Sequence, residues 1–314
     1  MKRNWSLFVV ICLLITVFIS CNKKQDEKKD IIIAVIPKVD NAIFDKVKQS
    51  AFEAAKELGI VVTWEAPTSI DGVKQKELIE NLILYKVDGI LISCNDAKLL
   101  QDPINKAIKA GIKVGTFDSD APNSERIFYI GTDNYKAGVV CAETMQSLFA
   151  KVNKKPDQVI VLSGGINADN MAERLRGFHT VCGDSNICEV LNSFEIPIYG
   201  KELLTNTLER NKNINAVQMI WSVPVLNGVD SIPALANFMK NGGISVFFDV
   251  SKPLLNYIKN NPNCATVKQD FEAMGRNGVT NLYNAILGKP FEESILYDVK
   301  VIDQSNVDEE LSKL

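Results

Sequence analysis

The feature that most constrains this chain is a regular alternation of short apolar runs with amphipathic segments. The first run, IIIAVIP (31–37), is continuously apolar and rich in β-branched residues, which is typical of a strand covered on both faces. The next segment has one apolar helical face, made by Val47, Ala51, Ala54, Ala55 and Leu58. Gly59 stands where a C-terminal helix cap belongs. This part of the chain is therefore predicted to be a strand followed by a helix.

The same unit then recurs along the chain. Strands are predicted at IVVTWE (60–65) and VDGILIS (87–93), with a helix over about 73–84 between them. Asp102 and Pro103 are a favoured N-cap and first helical residue, so the next helix is predicted to begin there. Repeated βα units with short connections favour a parallel sheet with helices on both faces.

After Asp133 the plan starts again. A helix is predicted through 142–149, followed by strands at VIVLS (159–163), AVQMIWS (216–222) and ISVFFD (244–249), separated by helices. The length of 314 residues also favours two compact domains. The predicted fold is therefore α/β, with two doubly wound, Rossmann-like parallel-sheet domains and a cleft between them.

Polar residues follow the ends of the predicted strands. Because the carboxyl ends of parallel strands face a crevice, such side chains can reach a ligand without disturbing the core. The residues in these positions are Lys38, Ser93, Asn95, Asp118, Asp120, Ser222 and Asp249. Asp118 and Asp249 are the strongest candidates, because each directly ends an apolar strand at corresponding places in the two halves. Turn formation or helix capping is the alternative, above all for Asn95 and Asp120.

Residues 1–20 have the form of an export signal. A basic start precedes LFVVICLLITVFI (7–19), an apolar stretch too short to span a bilayer comfortably. FISC, which ends at Cys21, resembles a bacterial lipobox, so Cys21 is the predicted lipidation site. The alternative is an ordinary secretory signal, because Phe18 stands where leucine is usual. Residues 21–30 are predicted to form a polar tether.

Charge and motif content exclude several classes of function. The formal net charge of −3 becomes −5 once the two basic residues of the signal are removed, which argues against nucleic acid as a partner. No helix-turn-helix pattern precedes Ile31. His179 is the single histidine and has no partner motif for general-base catalysis, so a surface or packing role is favoured and no enzyme is predicted.

The cysteines have no metal-ligand spacing, so neither a metal site nor a cofactor is predicted. Cys182 and Cys188 either pair as a disulfide across the loop CGDSNIC or remain isolated thiols. The sequence leaves both alternatives open.

Several segments together resemble the ribose-type periplasmic sugar-binding proteins, whose fold also forms the effector domains of LacI-like repressors. The matching segments are NAIFDKVKQSAFEAAKELG, VDGILIS, GIKVGTFDSDAP, YIGTDNYKAG, AERLRGF, VFFD and VKQDFEAMG. The resemblance implies the type I periplasmic binding protein fold, with a sugar enclosed between two lobes joined by a three-segment hinge. By resemblance the lobes are 31–132 with 270–297 and 133–269 with 298–314, and the crossings lie near 132–134, 268–270 and 296–299.

The resemblance also implies which residues contact the ligand. By position they are Asn41, Phe44, Asp118, Asn170, Arg174, Asp249 and Gln269. Carboxylates accept hydrogen bonds from neighbouring hydroxyls, and amides and guanidinium groups complete such a site. For Arg174 the alternative is that it pins its helix structurally. Trp221 either stacks on a sugar ring or belongs to the core.

Departures from the family pattern argue against plain ribose as the ligand. Ile43 stands where ribose binders usually carry Phe, and Ser119 stands where they place Arg. Ala172 replaces a polar contact, and Ser222 with Val223 replaces an Asn-Asp pair. Lys38 resembles the lysine of the rhamnose and autoinducer-2 branch of the same family.

These observations predict a lipid-anchored substrate-binding protein of an ABC importer in the bacterial cell envelope. It is expected to be a monomer that captures a monosaccharide or similar small polyol and delivers it to permease subunits in the membrane. The alternative on the same fold is a surface lipoprotein that adheres or serves a chemoreceptor.

Overall fold

In a computed structural model, the residues described are 30–165 and 168–314. The predicted signal (1–20), the lipidation site Cys21 and all of the predicted tether except Asp30 lie outside the described residues. Ile32–Leu314 form one unit built on two six-stranded sheets.

The first sheet has the strand order β2-β1-β3-β4-β5-β11, and its strands are all parallel. Its strands are β1 (Ile32–Ile36), β2 (Val61–Trp64), β3 (Gly89–Ile92), β4 (Lys113–Phe117), β5 (Phe128–Thr132) and β11 (Ser294–Tyr297). The three central strands β1, β3 and β4 consist almost entirely of buried residues. Strands covered on both faces gain their stability from apolar burial.

The second sheet has the order β7-β6-β8-β9-β10-β12, and only the edge pair β10-β12 is antiparallel. Its strands are β6 (Val159–Ser163), β7 (Ile187–Asn192), β8 (Ala216–Met219), β9 (Ile244–Phe248), β10 (Cys264–Lys268) and β12 (Lys300–Ile302). The order repeats that of the first sheet, so the two halves share one architecture.

Helices cover both faces of each sheet. In the first half they are α1 (Asp45–Leu58), α2 (Gly72–Tyr85), α3 (Ala97–Lys109) and α9 (Phe271–Ile286). In the second half they are α4 (Asn134–Ala150), α5 (Asp169–Cys182), α6 (Pro197–Arg210), α7 (Pro233–Lys240), α8 (Lys252–Asn260) and α10 (Val307–Leu311). On one face of the second sheet α4 packs against α5, and α6 and α8 pack on the other face. The predicted α/β class with two doubly wound sheets is confirmed.

The chain passes between the two sheets three times. It leaves the first sheet after β5, returns to it after β10, and crosses once more between β11 and β12. We call the first sheet with its helices the first lobe and the second sheet with its helices the second lobe. That the lobes move as rigid bodies about these crossings stays a prediction.

The start of α3 differs from the prediction. The helix begins at Ala97, where Asp96 Oδ1 accepts a hydrogen bond from the Leu99 backbone N–H, and Pro103 lies inside the helix. The earlier start adds buried Leu100 to the apolar face, and Asp96 supplies a better-placed cap than Asp102. Gly59 caps α1 as predicted, in the left-handed conformation with φ of 66°.

Cys182 and Cys188 do not form a disulfide in the structure, and both thiols are free. Cys182 is buried in the second-lobe core, and Cys188 Sγ lies 3.3 Å from the Val159 carbonyl oxygen. No helix within 30–165 and 168–314 is long and apolar enough to cross a membrane.

Candidate ligand-binding cavity

A cavity of about 340 Å³ lies between the two lobes, at the carboxyl ends of both sheets. This volume is at the small end of the range of ligand pockets. Nine of the thirteen predicted ligand contacts line it: Lys38, Asn41, Phe44, Asp118, Asn170, Arg174, Trp221, Asp249 and Gln269. The fold thus brings residues that are far apart in sequence to one place, and three of them, Lys38, Asp118 and Asp249, were predicted from their positions after strands.

Asp118 directly follows β4, and its backbone has a conformation that most residues avoid. Its φ is 56°, in the left-handed region, which Asp tolerates better than bulkier residues. The phenol of Tyr129 donates to the Asp118 carbonyl oxygen at 2.9 Å, and burial raises the pKa of Tyr129, so it stays a donor. Ser93 Oγ donates to Asp118 Oδ2 at 2.8 Å. The Asp118 carboxylate is thereby fixed and keeps lone pairs toward the cavity.

Asp249 is the counterpart of Asp118 in the second lobe. It follows β9, and its φ is 68°. Gln269 Nε2 donates to Asp249 Oδ1 at 2.7 Å. Burial raises the pKa of the Asp249 carboxyl to about 6, although Arg174 and Gln269 act in the opposite direction. The buried carboxylate is costly to keep ionised, and hydroxyl donors from a ligand offset that cost.

Arg174 is held on three sides. Its Nε donates to Asn134 Oδ1 at 2.8 Å, Nη1 to the Ile220 carbonyl at 3.2 Å and Nη2 to Gln269 Oε1 at 2.8 Å. The guanidinium lies 3.9 Å from the centroid of the Phe248 ring, a cation–π contact. Arg174 therefore pins α5 to its surroundings and also lines the cavity. That it contacts a ligand stays a prediction.

The remaining lining residues supply an acceptor and ring faces. Within residues 30–165 and 168–314, the buried Asn170 Oδ1 has no hydrogen-bond partner, so it is an acceptor that a ligand can use. Phe44 is held edge-on by Phe117 and Phe271, with centroids 6.2 and 5.8 Å away. The Trp221 ring packs over Gly164, where an added Cβ would approach it to 2.8 Å.

Phe194 and Glu195 are among the second-lobe lining residues that were not predicted from the sequence. Glu195 Oε1 lies 2.8 Å from Lys38 Nζ, and both side chains are buried. Phe194 lines the cavity beside it. Phe194 and Glu195 have φ of 53° and 56°, and consecutive left-handed residues are the kind of strain that clusters at functional sites. They follow β7, a half-exposed edge strand without a continuous apolar run to reveal it.

Four predicted contacts do not line the cavity, and two of them, Ser93 and Asn95, support residues that do. Ser93 bonds to Asp118, and Asn95 Nδ2 donates to the Lys38 carbonyl at 3.0 Å. Both Asp120 oxygens are taken up by Arg126, whose Nε and Nη2 each lie 2.6 Å away. Ser222 Oγ accepts the Phe248 backbone N–H at 2.6 Å. That these four contact a ligand directly stays a prediction.

The histidine that was considered as a general base lies outside the cavity. His179 is in the last turn of α5, where its Nδ1 lies 2.6 Å from Asp184 Oδ1, and it does not line the cavity. Among residues 30–165 and 168–314, no group of three or more His, Cys, Asp or Glu side chains is placed to hold a metal ion.

Comparison with known proteins places this geometry in a family. Residues 32–290 match the family described as a periplasmic binding protein domain. The ribose import binding protein RbsB of Bacillus subtilis is 24% identical over 97% of this chain and its own full length. A solute-binding protein of an ABC transporter from Burkholderia graminis, solved with D-arabinose, is 31% identical, with a TM-score of 0.81 over 88% of this chain and 96% of its own.

A second structural relative was solved as the XylFII-LytSN complex. It is 30% identical, with a TM-score of 0.78 over 88% of this chain and 98% of its own. Its coverage includes the sequence of both lobes, so the similarity extends to the whole cavity-forming unit.

Proposed function

The chain belongs to the periplasmic binding protein domain family, and from that premise we propose that it captures a monosaccharide or similar small polyol in its interlobe cavity. The family is one of solute-binding proteins, not of enzymes. Relatives named for ribose import and solved with D-arabinose support a small sugar as ligand.

The observation that carries the proposal is the pair of strand-ending carboxylates that line one cavity from opposite lobes. Asp118 belongs to the first lobe and Asp249 to the second. Each has acceptor capacity left after its protein hydrogen bonds, and Asn170 Oδ1 has no hydrogen-bond partner among the described residues. Neighbouring sugar hydroxyls donate to such acceptors, and each hydrogen bond to a charged group contributes about 1.5–3 kcal/mol.

Capture is proposed to close the lobes around the sugar. Gln269 sits at the second crossing and connects both lobes, because its Oε1 accepts from Thr132 Oγ1 of the first lobe at 2.8 Å and from Arg174 of the second. A ligand that contacts Asp118 of the first lobe and Asp249 of the second together binds the closed form better than the open form. Binding of this kind shifts the equilibrium towards closure.

The setting of the protein is also a proposal. We infer anchoring through a lipid on Cys21, delivery to an ABC permease and a monomeric state in the cell envelope. The sequence FISC and the polar segment after it support the anchor. Relatives that are named for import or described as ABC transporter proteins support the permease.

A role in sensing is the second candidate, because one relative was solved in complex with another protein, LytSN. Deletion of the gene separates the two. Loss of radiolabelled sugar uptake supports import, whereas intact uptake with loss of the sugar-induced transcriptional response supports sensing.

The test of ligand capture is a thermal-shift screen of ligand-stripped protein against pentoses, hexoses, deoxysugars, inositols and autoinducer-2. A ligand at one hundred times its dissociation constant adds about 2.7 kcal/mol of stability. A shift confined to one class of sugar supports the proposal. A flat screen on protein shown to be folded contradicts it.

A further inference from the structure

The residues at the buried end of the cavity, which we call the floor, differ in charge from those at its mouth. All five charged lining residues are buried: Lys38, Asp118, Arg174, Glu195 and Asp249. The lining residues that are not buried carry no charge. Eight of them are apolar, and we call six of these the rim: Val39, Ile43, Ile70, Phe194, Ile196 and Pro197. The other two are Val223 and Phe271, and the polar ones, Asn41 and Ser69, are neutral. Charged groups are therefore confined to the floor.

The rim is unusually exposed for apolar residues. Phe194 is 64% exposed and Ile196 48% exposed. The Phe194 ring stacks on Tyr199, with centroids 6.4 Å apart and planes 17° from parallel. Large apolar side chains that are exposed together mark a binding surface, whereas single exposed apolar side chains are ordinary.

The backbone at the rim is held in an unfavourable conformation. Phe194 and Glu195 are both left-handed, a conformation that is uncommon for any residue with a side chain. It directs two neighbouring side chains to different ends of the cavity: Glu195 reaches buried Lys38, and Phe194 remains exposed at the mouth. Strain of this kind persists where an arrangement serves a function.

We propose that the ligand is a glycoside, a sugar with an apolar alkyl or aryl group, and this inference rests on the proposed capture of a sugar. The polyhydroxyl end occupies the floor between Asp118 and Asp249. The apolar group lies against Phe194 and Ile196 at the rim. The rim and floor are continuous in one cavity, so a single small molecule reaches both.

The test compares free sugars with their glycosides on the full chain, purified in mild detergent and stripped of carried-over ligand. The probes are D-ribose, D-arabinose, D-xylose, D-glucose, D-galactose and L-rhamnose, each with its methyl and phenyl glycosides, measured by isothermal titration calorimetry. We expect one phenyl glycoside to bind at least about tenfold more tightly than its parent sugar, which corresponds to about 1.4 kcal/mol. The methyl glycoside should lie between them.

Variants assign the effect to the rim. Phe194→Ala should bring the ratio of phenyl-glycoside to free-sugar affinity close to one. The matched control is Ile198→Ala, which changes a residue that is also 64% exposed in the same segment but does not line the cavity. This control should keep the ratio of the unchanged protein.

The outcomes separate the two proposals. Free sugars that bind as tightly as every glycoside, or more tightly, overturn the glycoside inference and leave sugar capture standing. A ratio that survives Phe194→Ala also overturns it, as does a dimer that Phe194→Ala dissociates, because a second copy then covers the rim. Folded protein that binds no sugar and no glycoside contradicts the proposed capture itself.

Discussion

At the scale of single residues, the account depends on two aspartates held in left-handed backbones. Asp118 and Asp249 end β4 and β9 with φ of 56° and 68°. The Asp118 side chain is fixed by Ser93 and the Asp249 side chain by Gln269. Both partners are uncharged, so these hydrogen bonds do not neutralise either carboxylate. Such carboxylates retain the capacity to accept hydrogen bonds from a neutral polyol.

Asp118→Asn should weaken ligand binding by about ten- to a hundredfold, because hydrogen bonds to a charged group are worth about 1.5–3 kcal/mol. Asn tolerates the left-handed backbone, so the fold should persist. Calorimetric titration with the sugar found in the screen measures the effect. Asp96→Asn is the control, since Asn also caps α3, and equal affinities in both variants would remove Asp118 from the site.

Ligand affinity should fall as the pH is lowered through about 6. The pKa of the Asp249 carboxyl is raised to about 6 by burial, and its protonated form offers sugar hydroxyls a weaker acceptor. Titrations between about pH 5 and about pH 8, a range that includes that pKa, test this. Asp249→Asn should bind weakly with a flatter pH profile, whereas a profile as steep as that of the unchanged protein contradicts the assignment.

The same group has the opposite effect on the stability of the ligand-free protein. Between the ordinary carboxyl pKa and about 6, the folded state binds more protons at Asp249 than the unfolded state does. The contribution of Asp249 to the free energy of unfolding should therefore decrease as the pH rises through this window, by at most about 3 kcal/mol. Denaturant titrations of Asp249→Asn and of the unchanged protein at several pH values isolate this contribution. If the free energy of unfolding depends on pH identically in both proteins, the assignment to Asp249 is wrong.

At the scale of elements, α5 is the helix of the described second lobe that carries the most cavity residues. It bears Asn170 and Arg174, and it packs against α4 through two glycines. A Cβ added at Gly177 would approach the Tyr135 carbonyl oxygen to 2.0 Å, and one at Gly138 would approach the Arg174 carbonyl oxygen equally closely. The closeness of the two helices therefore fixes where α5 presents its side chains.

Gly177→Ala should destabilise the protein by about 1–3 kcal/mol through overpacking, and it should weaken sugar binding because α5 must shift. Thermal unfolding and calorimetric titration measure the two effects. Glu143→Ala, an exposed change on α4, is the control and should leave both nearly unchanged. Unaltered stability in Gly177→Ala would show that the helices separate freely.

Element patterns also explain how far the sequence could be interpreted. Buried strands such as β4 and β9 are continuous apolar runs, so their ends and the aspartates after them were predictable. In the edge strand β7, exposed residues alternate with more buried ones. Neither β7 nor the Phe194–Glu195 corner after it could therefore be predicted from an apolar run. Asp102-Pro103 resembles a helix start, but the burial of Leu100 extends α3 to Asp96. Tertiary packing overrides a local cap, and a sequence does not display packing.

At the scale of the whole molecule, the lobes are joined across the cavity by charged and polar contacts. The buried pair of Lys38 and Glu195 connects the first lobe to the second. The hydrogen bond between Thr132 and Gln269 does so at the crossing. These contacts favour the arrangement of the two lobes that the structure shows.

Glu195→Gln should shift the molecule towards an open form. Breaking a buried ion pair costs about 3–5 kcal/mol, and part of that loss falls on the closed state alone. The radius of gyration from small-angle X-ray scattering of sugar-loaded protein should increase. Glu189→Gln, which breaks an exposed pair with Arg210 inside the second lobe, should change nothing, and a compact Glu195→Gln protein contradicts a closing role.

The measurement that tests the central claim most directly is calorimetric titration of ligand-stripped protein with the sugar or glycoside that gives the largest thermal shift. We compare the unchanged protein with the double variant Asp118→Asn, Asp249→Asn. The account predicts one binding site per chain in the unchanged protein and loss of measurable binding in the double variant, which stays folded. Unchanged affinity in the folded double variant contradicts it, because the ligand is then held without the two strand-ending carboxylates.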